Sequence, residues 1–153
     1  MPEDFNYWRN RPIDDPRKDW RLEGNNTWID EYWRSGDHPH RQLILAALEK
    51  LLPFDSVLEV GCNAGPNLAL IQEKFLIPRL AGIDANEEAI KQARENLPGV
   101  FLREGNVESL PFREREFDVV LADAVLMYVD PDKIGKAIDE ITRVASRGIV
   151  LCE

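Results

Sequence analysis

Cysteine, histidine and methionine are scarce in this chain of 153 residues, with two of each. Cys62 and Cys152 are too few for a disulfide framework and lack the paired spacing of a metal knuckle, so they read as free thiols of a reducing compartment. His38 and His40 flank Pro39 beside Arg41. No further ligand stands at a suitable spacing, so no metal is expected and both read as surface or helix-capping residues. No apolar run approaches the roughly 20 residues of a membrane span. The opening Met-Pro-Glu-Asp-Phe-Asn has neither a basic nor an apolar leader region, so a cytoplasmic address away from any membrane is expected. Positive charge is also in deficit, with 19 Lys and Arg against 28 Asp and Glu, a net −9. That balance speaks against nucleic acid and against an anionic membrane surface as partners.

What the chain does have is a regular alternation of short apolar runs and helical patterns, in an ordinary globular composition of 44% hydrophobic and 31% charged residues. Ser56 to Val60 reads as a strand buried on both faces. Gly61 and Gly65 bracket the turn that follows, where a missing side chain permits unusual backbone angles and close approach of a ligand. Pro66 suits the first turn of the next helix, and Leu68, Ile71 and Phe75 recur on its inner side. The alternation continues as strand 79–84, helix 87–96, strand 100–105, strand 118–124, helix 131–144 and strand 148–152. Asn86 with Glu87 and Glu88 makes a capped helix start. Asp130-Pro131 repeats that logic, with Ile134, Ala137, Ile138, Ile141 and Val144 toward the sheet. An earlier helix from Asp37 and Pro39 to Pro53 should show Leu43, Ile44, Ala47, Leu48 and Leu51 on its apolar face. This βαβ rhythm predicts a mostly parallel sheet with helices on both faces. Asp84 ends the second strand about 20 residues past the glycine turn, the place from which a carboxylate reaches ribose hydroxyls in such folds.

Residues 1–37 differ in character. They hold all four tryptophans, Trp8, Trp20, Trp28 and Trp33, with Tyr7, Tyr32 and several arginines, but little periodicity. They read as an aromatic arm docked on the main domain of residues 38–153, either as plain packing or as a lid, with a short helix around Thr27 to Arg34.

Four motifs in sequence order resemble the class I S-adenosylmethionine-dependent methyltransferases. Glu59-Val-Gly61-Cys62-Asn63-Ala-Gly65 resembles the family's acidic, glycine-rich first motif, with Asn63 in place of the middle glycine. Gly82-Ile-Asp84-Ala85-Asn86 is similar to the second, which implies that Asp84 holds the ribose diol. Gly105-Asn106-Val107-Glu108, followed by Leu110-Pro-Phe112, resembles the adenine-contacting loop, with Asn106 where an aspartate is usual; its side-chain oxygen still accepts a hydrogen bond. Phe117 to Asp123 is similar to the fourth strand and the loop on the catalytic side. The dinucleotide fingerprint is not met, because position 63 is Asn and position 66 is Pro.

The resemblance implies a Rossmann-like three-layer α/β sandwich of about five strands in the order 3-2-1-4-5, with S-adenosylmethionine as cofactor. It implies cofactor contacts at Glu59, Gly61, Cys62, Asn63, Gly65, Asp84, Ala85, Asn106, Val107 and Asp123. It does not fix a catalytic residue; Tyr128 is a weak candidate, more simply read as packing. The loop after strand four lacks the Asn/Asp-Pro-Pro-aromatic pattern of nucleobase methylases, so a small-molecule acceptor is expected. The family's last helix and antiparallel strand pair have no counterpart before Glu153. The expectation is either a shortened chain or an open fifth-strand edge protected by the arm, by a second copy or by a partner protein. The alternative function is a non-catalytic S-adenosylmethionine-binding module whose substrate site a partner completes.

Overall fold

The computed structural model describes residues 5–15 and 26–153; Trp20 lies outside them. The elements run α1 (Phe5–Asn10), α2 (Trp28–Arg34), a 3₁₀ turn (Ser35–Asp37), α3 (Pro39–Glu49), β1 (Ser56–Val60), α4 (Pro66–Phe75), β2 (Arg79–Asp84), α5 (Glu87–Asn96) and β3 (Phe101–Glu104). They continue with β4 (Phe117–Asp123), a 3₁₀ turn (Leu126–Tyr128), α6 (Ile134–Val144) and β5 (Ala145–Cys152). The strands pair in the order β3-β2-β1-β4-β5, all parallel. This is the Rossmann-like order expected from the motifs. Glu59 lies opposite Gly82 on one side and Leu121 on the other, and Asp123 lies opposite Cys152.

Alternation along the strands divides the core into two layers. Val57, Val119, Leu121 and Val150 face α3, α4 and α5 through Ile44, Leu48, Leu68, Ile71 and Ile90. Leu58, Val60, Val120 and Ala122 face α6 and the loop after β3 through Ala137, Ile141, Val144, Val107 and Leu110. Each fully buried Leu or Ile here contributes roughly 1.5–3 kcal/mol of transfer free energy, which locks the strand register and hence the positions of the residues at the strand ends.

Local chemistry sets the helix starts. Thr27 and Asp30 form a reciprocal capping box on α2. Asn86 caps α5 by accepting from the Ala89 N–H. The helix expected to start at Asp130-Pro131 begins instead at Ile134. The Lys133 N–H donates to the Asp130 carbonyl and its ammonium lies 3.0 Å from the Asp130 carboxylate, closing a turn first. Two apolar faces are rotated from those expected. On α6 the buried stripe is Ala137, Ile141 and Val144, leaving Ile138 outward; on α3 it is Arg41, Ile44, Leu45 and Leu48, leaving Leu43 outward. In both cases the exposed residue is one helical step, about 100°, off a strict i, i+3/i+4, i+7 line.

Candidate functional site

The carboxyl ends of β1, β2 and β4 open into a cavity of about 710 Å³, within the size range of about 300–1,000 Å³ of small-molecule sites. Its floor is the turn between β1 and α4. Gly61, Asn63 and Gly65 all take positive φ, at +73°, +52° and +87°. Asparagine is among the few non-glycine residues that tolerate this region, which explains how Asn63 replaces a glycine. Its side-chain oxygen accepts from the next amide, that of Ala64, at 2.6 Å. The Gly61 and Cys62 amides both donate to the Ile83 carbonyl, at 2.7 and 2.9 Å, and pin the turn to the end of β2. A side chain on Gly82 would strike the Cys62 sulfur, so that glycine lets the thiol lie flat on the sheet. Burial pushes the Cys62 thiol well above its usual pKa.

Asp84 faces this turn. One carboxylate oxygen accepts from the Asn63 N–H at 2.7 Å and the other from the Asn86 N–H at 2.8 Å. Burial raises its pKa against the opposing pull of these backbone donors. Glu59 stands deeper, 1% exposed. Its Oε1 accepts from Asn67 Nδ2 at 2.7 Å, whereas Oε2 is buried with no partner among the described residues. Burial is the main cause that drives its pKa up to about 8, and the Asn67 hydrogen bond only partly offsets it.

Of the expected residues, Glu59, Gly61, Cys62, Asn63, Asp84, Ala85, Val107, Asp123 and Tyr128 line this one cavity. Gly65 and Asn106 do not. A Cβ on Gly65 would meet Leu97 at 2.5 Å, so its role is to let α4 and α5 approach. Asn106 lines a smaller adjoining hollow with Phe5, Arg9 and Ala85, and its side-chain oxygen closes a local turn on the Glu108 N–H. The space beside Gly61 also differs from expectation: a Cβ there would lie 2.1 Å from the Val125 side chain, which crosses over the turn.

A polar network missing from the sequence reading crosses the cavity wall. Arg41, 5% exposed, donates to Asn67 Oδ1 and also to Ser35 and the Tyr32 carbonyl. Asn67 donates onward to Glu59 and, at 3.0 Å, to Asp123 Oδ2. The other Asp123 oxygen lies 2.7 Å from His40 Nε2. His38 is a helix cap, its Nδ1 accepting from the His40 N–H. His40 remains partly exposed but is no cap, because its ring reaches Asp123 at the end of β4. One signal for this network was in the sequence: Arg41 occupies a position on the line of Ile44, Leu45 and Leu48 that a core-facing helix would give to an apolar residue.

The arm supplies the outer wall. Phe5, Trp8, Trp28 and Tyr32 line the cavity, and burial pushes Tyr32 up to about 12. Asn86 Nδ2 donates to the Trp8 and Arg11 carbonyls at 2.8 and 2.9 Å. Arg11 lies 4.8–5.5 Å from the rings of Tyr7, Trp8 and Trp28. The Trp8 ring meets Tyr128 at 5.2 Å.

Comparison with known proteins agrees with this geometry. Residues 58–152 match the methyltransferase domain family. The chain is 35% identical over 115 residues to a ribosomal protein L11 methyltransferase of Caldicellulosiruptor bescii, covering 71% of this chain and 38% of that one. It is 33% identical over 105 residues to a malonyl-[acyl-carrier protein] O-methyltransferase of Herminiimonas arsenicoxydans, covering 68% and 38%. The chain thus spans little more than a third of the length of either relative. The fold is also that of the S-adenosylmethionine-bound amino pentose methyltransferase of Micromonospora echinaspora involved in calicheamicin biosynthesis. That match has TM-score 0.67 and 22% identity over 85% of this chain and 58% of the other.

Proposed function

The chain belongs to the class I S-adenosylmethionine-dependent methyltransferases, with S-adenosylmethionine as cofactor, and from that premise we propose that the cavity on β1, β2 and β4 serves methyl transfer to a small-molecule acceptor. The observation that carries the reading is the pairing of a backbone-held Asp84 with a buried, half-satisfied Glu59 across one glycine-hinged turn. An unpartnered carboxyl oxygen sealed from water is costly unless something arrives to meet it. The ammonium of the cofactor's methionine part is a suitable donor once Glu59 releases its proton to meet that charge, and Asp84 would accept from the ribose diol. Gly61, Cys62, Asn63, Ala85, Val107 and Asp123 complete the cofactor wall; Gly65 supports it from behind by admitting α5, and Asn106 from the adjoining hollow.

Bound there, the cofactor supplies an electrophilic methyl group on a sulfonium. The protein's own work is to orient an acceptor and exclude water, since displacement at an already activated carbon needs chiefly proximity and alignment. Phe5, Trp8, Trp28 and Tyr32 form an aromatic cover suited to that role, which makes the arm a lid. Tyr128, its ring tilted against that of Trp8, is the catalytic-side candidate, as an acceptor-orienting group. The relatives' named acceptors differ from one another, so the small-molecule reading rests on the aromatic-walled cavity and the acidic charge.

No helix among the described residues is long and apolar enough to cross a membrane, and the free thiols support a cytoplasmic setting. Ile149 and Leu151 stand exposed on β5, the outer strand. This favours a second copy or partner protein on that edge, which light scattering over a concentration series tests.

Titration calorimetry with S-adenosylhomocysteine, with NAD as control, tests the cofactor site. Binding of the first alone, lost in Asp84→Ala, is expected. Equal binding by the variant would remove Asp84 from the site, and no binding at all by a folded chain would remove the proposal.

A further inference from the structure

Three residues far apart in sequence meet beside the cavity: Asp123 at the end of β4, His40 in the first turn of α3 and Cys152 at the end of β5. Asp123 Oδ1 lies 2.7 Å from His40 Nε2, and His40 Nδ1 lies 3.6 Å from Cys152 Sγ. The proton positions follow from the chemistry of the groups. A carboxylate only accepts, so Nε2 carries a ring proton, and it is in the neutral imidazole that Nδ1 presents a lone pair. What faces that lone pair is the thiol, which donates its S–H. Neither end of the relay is loose. The second Asp123 oxygen is held by Asn67, itself held by buried Arg41. The Cys152 carbonyl accepts from the Ala124 N–H at 2.8 Å, and the strand pairing sets Cys152 opposite Asp123. Cys152 is partly exposed, whereas Cys62, the other thiol, is buried.

We propose that Asp123, His40 and Cys152 form a base-activated nucleophile, making Cys152 a site of covalent modification by soft electrophiles, that is, a carbon or a disulfide sulfur bearing a leaving group. The thiol proton passes to His40 Nδ1 as the sulfur lone pair forms the new bond. The bond to the leaving group breaks and the leaving group departs with its electron pair. Asp123 steadies the imidazolium through Nε2. Burial, with the carboxylates of Asp123 and Glu153, holds the Cys152 thiol above its usual pKa. The sulfur is therefore not a standing thiolate, and proton transfer to His40 accompanies attack.

The test is the alkylation rate of the intact 153-residue chain by iodoacetamide at pH 7.5, with the adduct located by mass spectrometry and glutathione thiol as reference. Oxidised glutathione in a parallel series probes the disulfide class. Cys152 is expected to react about tenfold or more faster than the reference, with a slower rate in deuterated water, while Cys62 stays unmodified. His40→Gln should bring the rate to the reference or below and abolish the solvent isotope effect. Asp123→Asn should fall between, each variant being shown folded by its melting curve. Disulfide exchange without alkylation would narrow the class to sulfur; alkylation without exchange would narrow it to carbon. A wild-type rate no faster than glutathione would overturn the proposal. So would an unchanged rate in folded His40→Gln, or stoichiometric zinc that protects Cys152, which would make the cluster a metal site.

Discussion

Asp84 and Asp123 close the two strands that flank β1, and the protein holds them by different means. Asp84 takes its hydrogen bonds from backbone amides, those of Asn63 and Asn86. Asp123 takes its own from side chains, Asn67 and His40. Backbone donors are set by the path of the chain, so the first arrangement tolerates changes of neighbouring side chains. The second depends on each partner keeping its identity. A rigid, backbone-held half thus lies on the β2 side of β1, and an editable polar half on the β4 side.

The sharpest way to break this contrast is to deform the turn itself. Gly61→Val places a branched side chain at φ +73° and into Val125. It should abolish S-adenosylhomocysteine binding by calorimetry and lower the melting temperature; retained affinity would mean the turn is not part of the site. Next in size, Asp84→Ala keeps the turn but removes its acceptor. Loss of about 1.5–3 kcal/mol in binding is expected for a hydrogen-bonded charged group, roughly 10- to 150-fold in Kd, with little change in fold by circular dichroism.

On the other half, Asn67→Ala strands Glu59 and takes one partner each from Asp123 and Arg41. It should cost about 1–3 kcal/mol of stability in urea unfolding, the penalty of an unpaired buried polar group. A neutral result would show that water replaces the amide. The last prediction concerns Glu59 and is read as a trend with pH. Its folded pKa of about 8 lies above the unfolded value of 4.5, so the folded state holds a proton that the unfolded state has released. The stability this brings is complete below the unfolded value and is lost as pH rises through about 8. The melting temperature should therefore fall between pH 5 and pH 8.5, and the fall should shrink in Glu59→Gln. Equal slopes in both proteins would show that other groups set the trend.

The same contrast explains what the sequence made legible. The strand and helix bounds around Asp84 follow from local periodicity and caps, and β1, β2 and α5 fall where the pattern put them. The placement of Asp84 at this turn is legible because its partners lie within 21 residues along one strand–turn–helix path. The contacts of His40, a partly exposed residue as expected, are not legible because its partners lie 83 and 112 positions away, a separation no spacing rule reaches. Gly65 and Asn106 were assigned to the cofactor wall by motif order. A motif records which residues recur together, and here one of them serves helix packing and the other an adjoining hollow. Arg41 was visible in principle as a charge on a core-facing stripe, but the stripe itself had been drawn through Leu43, one step round the helix.

The seating of Trp8 has an optical consequence. Its ring is at the cavity wall, 6.5 Å from that of Trp28 and 5.2 Å from that of Tyr128, and the main-chain carbonyl of the same residue is latched by Asn86, two positions from Asp84. An indole so placed reports its surroundings in its emission colour and yield. The molecule therefore carries its own gauge of occupancy, and a stopped-flow fluorimeter reading native tryptophan light should time the filling of the cavity with no label attached.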